Sequence, residues 1–193
     1  WAHKELAPVV KAWYPRLVKL LPSDGYTAPR NVKIVFKKDM KGVAATGGTR
    51  ISCAAEWYRN NLKGEAIGSI IHELVHVVQQ YGLARKKNPN SEPTPGWLTE
   101  GLTDYIRFFL YEPQTRGAII RKENIARVHY NDSYRVTANF LDWVVRKYEK
   151  DLIRKLNAAL RDGAYSEDLW KQCTGQTVLE LESEWKRDLE RNL

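Results

Sequence analysis

His72, Glu73 and His76 stand in the order His-Glu-Leu-Val-His, and this spacing points to metal chemistry. Residues four apart on a helix share one face, so two imidazoles one turn apart can grip a single ion. Zinc takes neutral imidazole nitrogen at roughly 2.0–2.1 Å and prefers tetrahedral sites. Glu73, next to the first ligand, is placed to meet an activated water rather than the ion, and its carboxylate can take a proton during attack. A chance match is rare at this length, and the motif uses two of the chain's four histidines.

A catalytic zinc site needs a third protein ligand and one open position. Trp97-Leu-Thr-Glu-Gly-Leu-Thr-Asp-Tyr105 supplies two candidates, Glu100 and Asp104, again four apart. One carboxylate can bind the ion while the other orients a histidine through its second nitrogen. Alone, such a pair reads as a solvated helix face. Following the HExxH helix across one loop, it becomes the leading source of the missing ligand.

The elements that must carry these residues can be read from periodicity. Val10, Trp13, Leu17 and Leu21 have helical spacing within residues 4–21. Residues 32–36 alternate and are β-branched, and residues 49–53 form a second short strand, with a small-residue loop over 42–48 between them. Ile67, Ile71, Leu74, Val78 and Tyr81 mark the buried stripe of the HExxH helix, expected over 65–81 and ending at Gly82. Residues 83–96 read as an exposed loop and 97–110 as the next helix. A third helix is expected from a cap at Asp132 to Lys150. The last begins at the capping box Thr177-x-x-Glu180, with Val178, Leu181, Trp185 and Leu189 in line. The chain thus reads as α+β: a small N-terminal sheet, the HExxH helix and a mostly helical C-terminal half, in a single domain over 1–193.

Composition bounds the function. No stretch reaches the roughly 18–20 apolar residues of a membrane span, so a soluble protein is expected. Seven Trp and ten Tyr predict an aromatic core with some aromatic surface. The net charge of +8 favours acidic partners, although the basic residues fall in short clusters and no nucleic-acid module is present. No nucleic-acid partner is expected, and the chain is expected to be a monomer. Cys53 and Cys173 are too few for a disulfide scaffold; one bridge and two buried thiols are both open. The chain begins at Trp1 and its only methionine is Met40, so removal of an N-terminal segment, a signal peptide among the candidates, is expected.

HELVHVVQQYG followed by PGWLTEGLTDYIRF resembles the basic secretory protein family of plants and bacteria. The likeness extends through SYRVTANFLDWVVRKY and back to GVAATGG and RISC, covering most of the chain from Val32 onward. The resemblance implies a zincin-like metallopeptidase fold, Zn2+ as cofactor, a peptide or protein substrate, and a secreted or periplasmic location. WLTEGLTDY is also similar to the third-ligand helix of gluzincin peptidases, which implies Glu100 as ligand and Asp104 as its supporting partner. The loop between His76 and Glu100 departs from those groups in length, and Asp104 is the alternative ligand. The same likeness implies Tyr134, at the start of the third helix, as donor to the oxyanion, with Tyr130 and His129 as competitors. It further implies that residues 49–53 present a sheet edge to substrate, against the alternative of a plain core strand.

The expected reaction is therefore peptide-bond hydrolysis by zinc-activated water. His72, His76 and Glu100 bind, Glu73 is the base and Tyr134 steadies the oxyanion. The rival is a catalytically inactive zincin scaffold whose basic surface binds acidic cell-wall or other anionic polymers.

Overall fold

Alternating β-branched residues early in the chain and helical periodicity after them produce an α+β architecture, as expected. The computed structural model describes residues 1–192. Two compact units result, Trp1–Gln80 and a second that starts at Tyr81.

The first unit opens with a π turn, Ala2–Leu6, that runs into helix α1, Ala7–Leu20. Leu17 and Leu21 of the predicted stripe are fully buried. Three strands follow: β1 (Lys33–Lys37), β2 (Ala44–Gly47) and β3 (Arg50–Ala54). Their order is β1-β3-β2, with β3 parallel to β1 and antiparallel to β2. The expected loop over 42–48 thus contains a strand. Its small residues gave no apolar alternation to read, but Gly47 pairs with Arg50 across a two-residue turn. Gly48 sits in that turn with φ of +59°, a conformation that glycine adopts without steric cost.

Helix α2 (Ala55–Asn61) leads to α3 (Ala66–Gln79), which carries the HExxH residues. Ile70, Ile71, Leu74, Val75, Val77 and Val78 are all fully buried, a wider face than the single predicted stripe. The reason is packing on two sides, because α3 meets β2 and β3 as well as α1. The helix ends earlier than Gly82. Gln80 takes the left-handed conformation (φ 49°), and its side chain donates to the carbonyls of Gly48 and Val77 at 3.2 and 2.9 Å.

In the second unit a 3-10 turn (Tyr81–Leu83) and a short helix α4 (Ala84–Lys87) occupy part of the expected loop. Helix α5 (Gly96–Tyr105) continues into a π turn, Ile106–Tyr111. Then come α6 (Tyr134–Lys147), α7 (Leu152–Asp162), α8 (Asp168–Thr174) and α9 (Val178–Asn192). The cap of α6 is Ser133 rather than Asp132, whose carboxylate instead accepts the His129 N–H at 2.7 Å. The capping box of α9 is present: Thr177 N–H donates to Glu180 and Glu180 N–H to the Thr177 hydroxyl. Phe140, Trp170 and Trp185 form a fully buried aromatic core, with Phe140 5.7 Å from Trp170 and 5.6 Å from Trp185 between ring centroids.

Both cysteines are free thiols. Burial pushes the Cys53 thiol up to about 11. No described helix is long and apolar enough to cross a membrane.

Candidate metal centre and active site

The four-residue spacing on α3 brings His72 and His76 together as expected: their Nε2 atoms lie 3.3 Å apart. Two lone pairs facing each other at that distance repel unless a proton or a cation lies between them. A tetrahedral ion with bonds of roughly 2.0–2.1 Å holds its ligand atoms about 3.3–3.4 Å apart, so the pair fits zinc.

His76 is held in the matching tautomer. Its Nδ1 lies 2.7 Å from the Gln79 amide oxygen, which can only accept, so Nδ1 carries the proton and Nε2 keeps its lone pair. Gln79 is buried, at 2% exposure, and this fixes the ring. Sequence reasoning missed Gln79, although its i+3 offset from His76 placed it on the same helical face.

Glu73 is also buried, and its Oε2 accepts a 2.6 Å hydrogen bond from the Thr46 hydroxyl. That hydroxyl also lies 3.0 Å from the Glu73 carbonyl, so one proton serves two acceptors. The bond from β2 anchors one carboxylate oxygen and orients the other. Thr46 is a second residue that sequence reasoning missed. It lies 27 residues from Glu73, and no local spacing connects them.

The β2–β3 pairing decides between the two readings of residues 49–53 in favour of a core strand. β3 is the central strand, so its backbone groups serve β1 and β2 and are not offered to an extended peptide. The edges are β1 and β2, and β2 carries Thr46.

In the second unit Glu100 and Asp104 lie on α5 one turn apart, with Glu100 half-buried and Asp104 buried at 4% exposure. The backbone there is tightly held. Thr103 donates to the Glu100 carbonyl at 2.5 Å, and Thr99 donates to the Pro95 carbonyl at 3.1 Å. Gly101 lets α5 approach α6 closely, since a Cβ at Gly101 would lie 2.1 Å from the Thr137 methyl.

Tyr134 is the first residue of α6 and is 51% exposed. Tyr130 and His129 have contacts of their own. Tyr130 is buried against Trp97, 4.9 Å between centroids, and burial raises its phenol above the ordinary value. His129 Nδ1 lies 3.1 Å from Glu182.

Buried Gln79 and half-buried Thr46 thus fix His76 and Glu73 of α3. A family model described as a peptidase of plants and bacteria matches residues 8–185. No curated protein and no solved structure matches the chain. The family match covers nearly the whole sequence, both units included: the chain belongs to the basic secretory protein family, the peptidases of plants and bacteria.

Proposed function

We propose that the protein is a zinc-dependent metallopeptidase of zincin-like fold, using His72, His76 and Glu100 as metal ligands and Glu73 as general base. The observation that carries this reading is the His72–His76 pair at 3.3 Å, with His76 Nδ1 tied to Gln79. With Glu100 the three side chains offer two imidazole nitrogens and a carboxylate oxygen, a donor set able to hold a metal ion. On this reading residues 1–193 work as one peptidase domain.

Bound zinc would supply a Lewis acid that makes water acidic near neutral pH. The protein's own residues do the rest. Glu73, with Oε2 anchored by Thr46, takes the proton of the attacking water and returns it to the leaving amine. Asp104 fixes an imidazole through its outer nitrogen, and the Tyr134 phenol donates to the oxyanion that forms on the scissile carbonyl. Substrates are peptides or proteins, met outside the cytosol as family membership suggests.

The Glu73→Gln variant tests the base. It is expected to keep its zinc while peptide hydrolysis falls about 100- to 10,000-fold, because the carboxylate moves a proton and does not bind the ion. Zinc loss in that variant, or hydrolysis at the wild-type rate, would overturn the assignment.

A further inference from the structure

The segment between α5 and α6 carries charge that the proposed peptidase site does not use. From Pro113 to Asn131 it contains Arg116, Arg121, Lys122 and Arg127 against the single acid Glu123. Two hollows of about 570 and 310 Å³ adjoin it, and Ile119 and Ile120 line both. Arg116, Arg146 and Lys147 border the larger hollow with Asp188, and Arg121 and Arg127 border the smaller with Asp132. None of these residues is a proposed ligand or base.

The cations differ in what they are already doing. Arg146 pairs with Asp142 at 2.8 Å, and Lys147 pairs with Asp188 and Glu184 at 2.7 and 2.8 Å. The side chains of Arg116, Arg121 and Arg127 make no hydrogen bond or ion pair with any described residue and are exposed. Arg116 also occupies a left-handed backbone position (φ 54°), which glycine would adopt more readily. Between these guanidinium groups stands Ile119, at 43% exposure one of the larger apolar side chains left in solvent.

We infer that this pair of hollows is a docking surface for an acidic stretch of polypeptide. Its aliphatic side chains would cover Ile119, and its carboxylates would pair with Arg116, Arg121 and Arg127. Guanidinium groups bind carboxylates through two parallel hydrogen bonds, and an apolar anchor among them adds contact area that a purely ionic surface lacks. Single-stranded nucleic acid fits less well, because its bases favour an open aromatic face for stacking, and a polyanion of any kind gains nothing from the apolar Ile119 anchor. Among the described residues the lining holds one tryptophan, Trp143, which is 7% exposed and has the Lys147 ammonium 5.0 Å above its ring. The choice of polypeptide rests on the peptidase reading; the basic, isoleucine-centred surface does not.

The test is a binding measurement, made on the Glu73→Gln protein so that turnover plays no part. A fluorescent peptide of about 12 residues rich in Glu and Leu is titrated against it. A peptide with Lys in place of Glu and an oligonucleotide of equal charge run alongside. The acidic peptide is expected to bind tightest, with affinity falling as salt is raised. The Arg116→Glu/Arg121→Glu/Arg127→Glu variant should weaken binding at least tenfold, and Ile119→Ser about threefold or more. Equal binding of peptide and oligonucleotide with no effect of Ile119→Ser would make the surface a general polyanion site and overturn the inference. Unchanged peptide binding by the triple variant would overturn it as well. Hydrolysis of a short neutral peptide by otherwise wild-type protein bears on the peptidase reading alone, and should be the same with and without the triple substitution.

Discussion

Helix α3 and helix α5 carry the two parts of the proposed metal site, and they are built on different principles. On α3 the ligands, the base and the Gln79 support all lie within eight residues of one continuous helix, so local geometry alone sets the imidazole pair at 3.3 Å. On α5 the relevant carboxylates depend on long-range packing, in which Gly101 admits the Thr137 methyl and the helix lies close against α6. A ligand pair written into one helix survives rearrangement elsewhere. A ligand delivered by a packed pair of helices does not.

The contrast is sharpest in the roles of Glu100 and Asp104. Glu100→Ala is expected to lower zinc affinity more than about 100-fold, because a bond to the ion is lost. Asp104→Ala should cost ~10- to 100-fold and keep zinc at saturating concentrations. Titration of both variants with a competing chelator distinguishes them. If Asp104→Ala is the more damaging, the two roles must be exchanged.

A smaller effect tests the α3 side. Thr46→Val keeps the shape of the side chain and removes the hydroxyl that holds Glu73 Oε2. A hydrogen bond to a charged group contributes about 1.5–3 kcal/mol, so kcat should fall about tenfold or more. KM and zinc content should be unchanged, since the Thr46 hydroxyl bonds to Glu73, the proposed base, and to neither proposed histidine ligand. A loss of zinc, or a rise in KM at constant kcat, would assign Thr46 to the scaffold or to substrate binding instead.

What could be read from the amino-acid order follows the same division. The HExxH helix, the α9 capping box and the Trp185 core position are local or periodic features, and each appears where spacing placed it. β2 escaped notice because Ala44, Ala45, Thr46 and Gly47 have no apolar alternation; its place is set by pairing with β3. Without β2, Thr46 cannot be connected to Glu73, and β3 reads equally as an edge or a core strand. The end of α3 was misplaced because Gln80, not a glycine, takes the left-handed turn, supported by the Gly48 carbonyl from the β2–β3 turn. Periodicity could place Glu100 and Asp104 on one face of one helix. It could not rank them as ligands, because that depends on contacts far away in sequence.

Metal dependence is the central claim, and one measurement addresses it directly. Purified protein is analysed for metal, stripped with a chelator, assayed on a peptide library, and assayed again after stoichiometric zinc is restored. Close to one zinc per chain is expected, with loss of hydrolysis on stripping and recovery on return, and with no recovery in His72→Ala or His76→Ala. Full hydrolysis by the metal-free protein would contradict it.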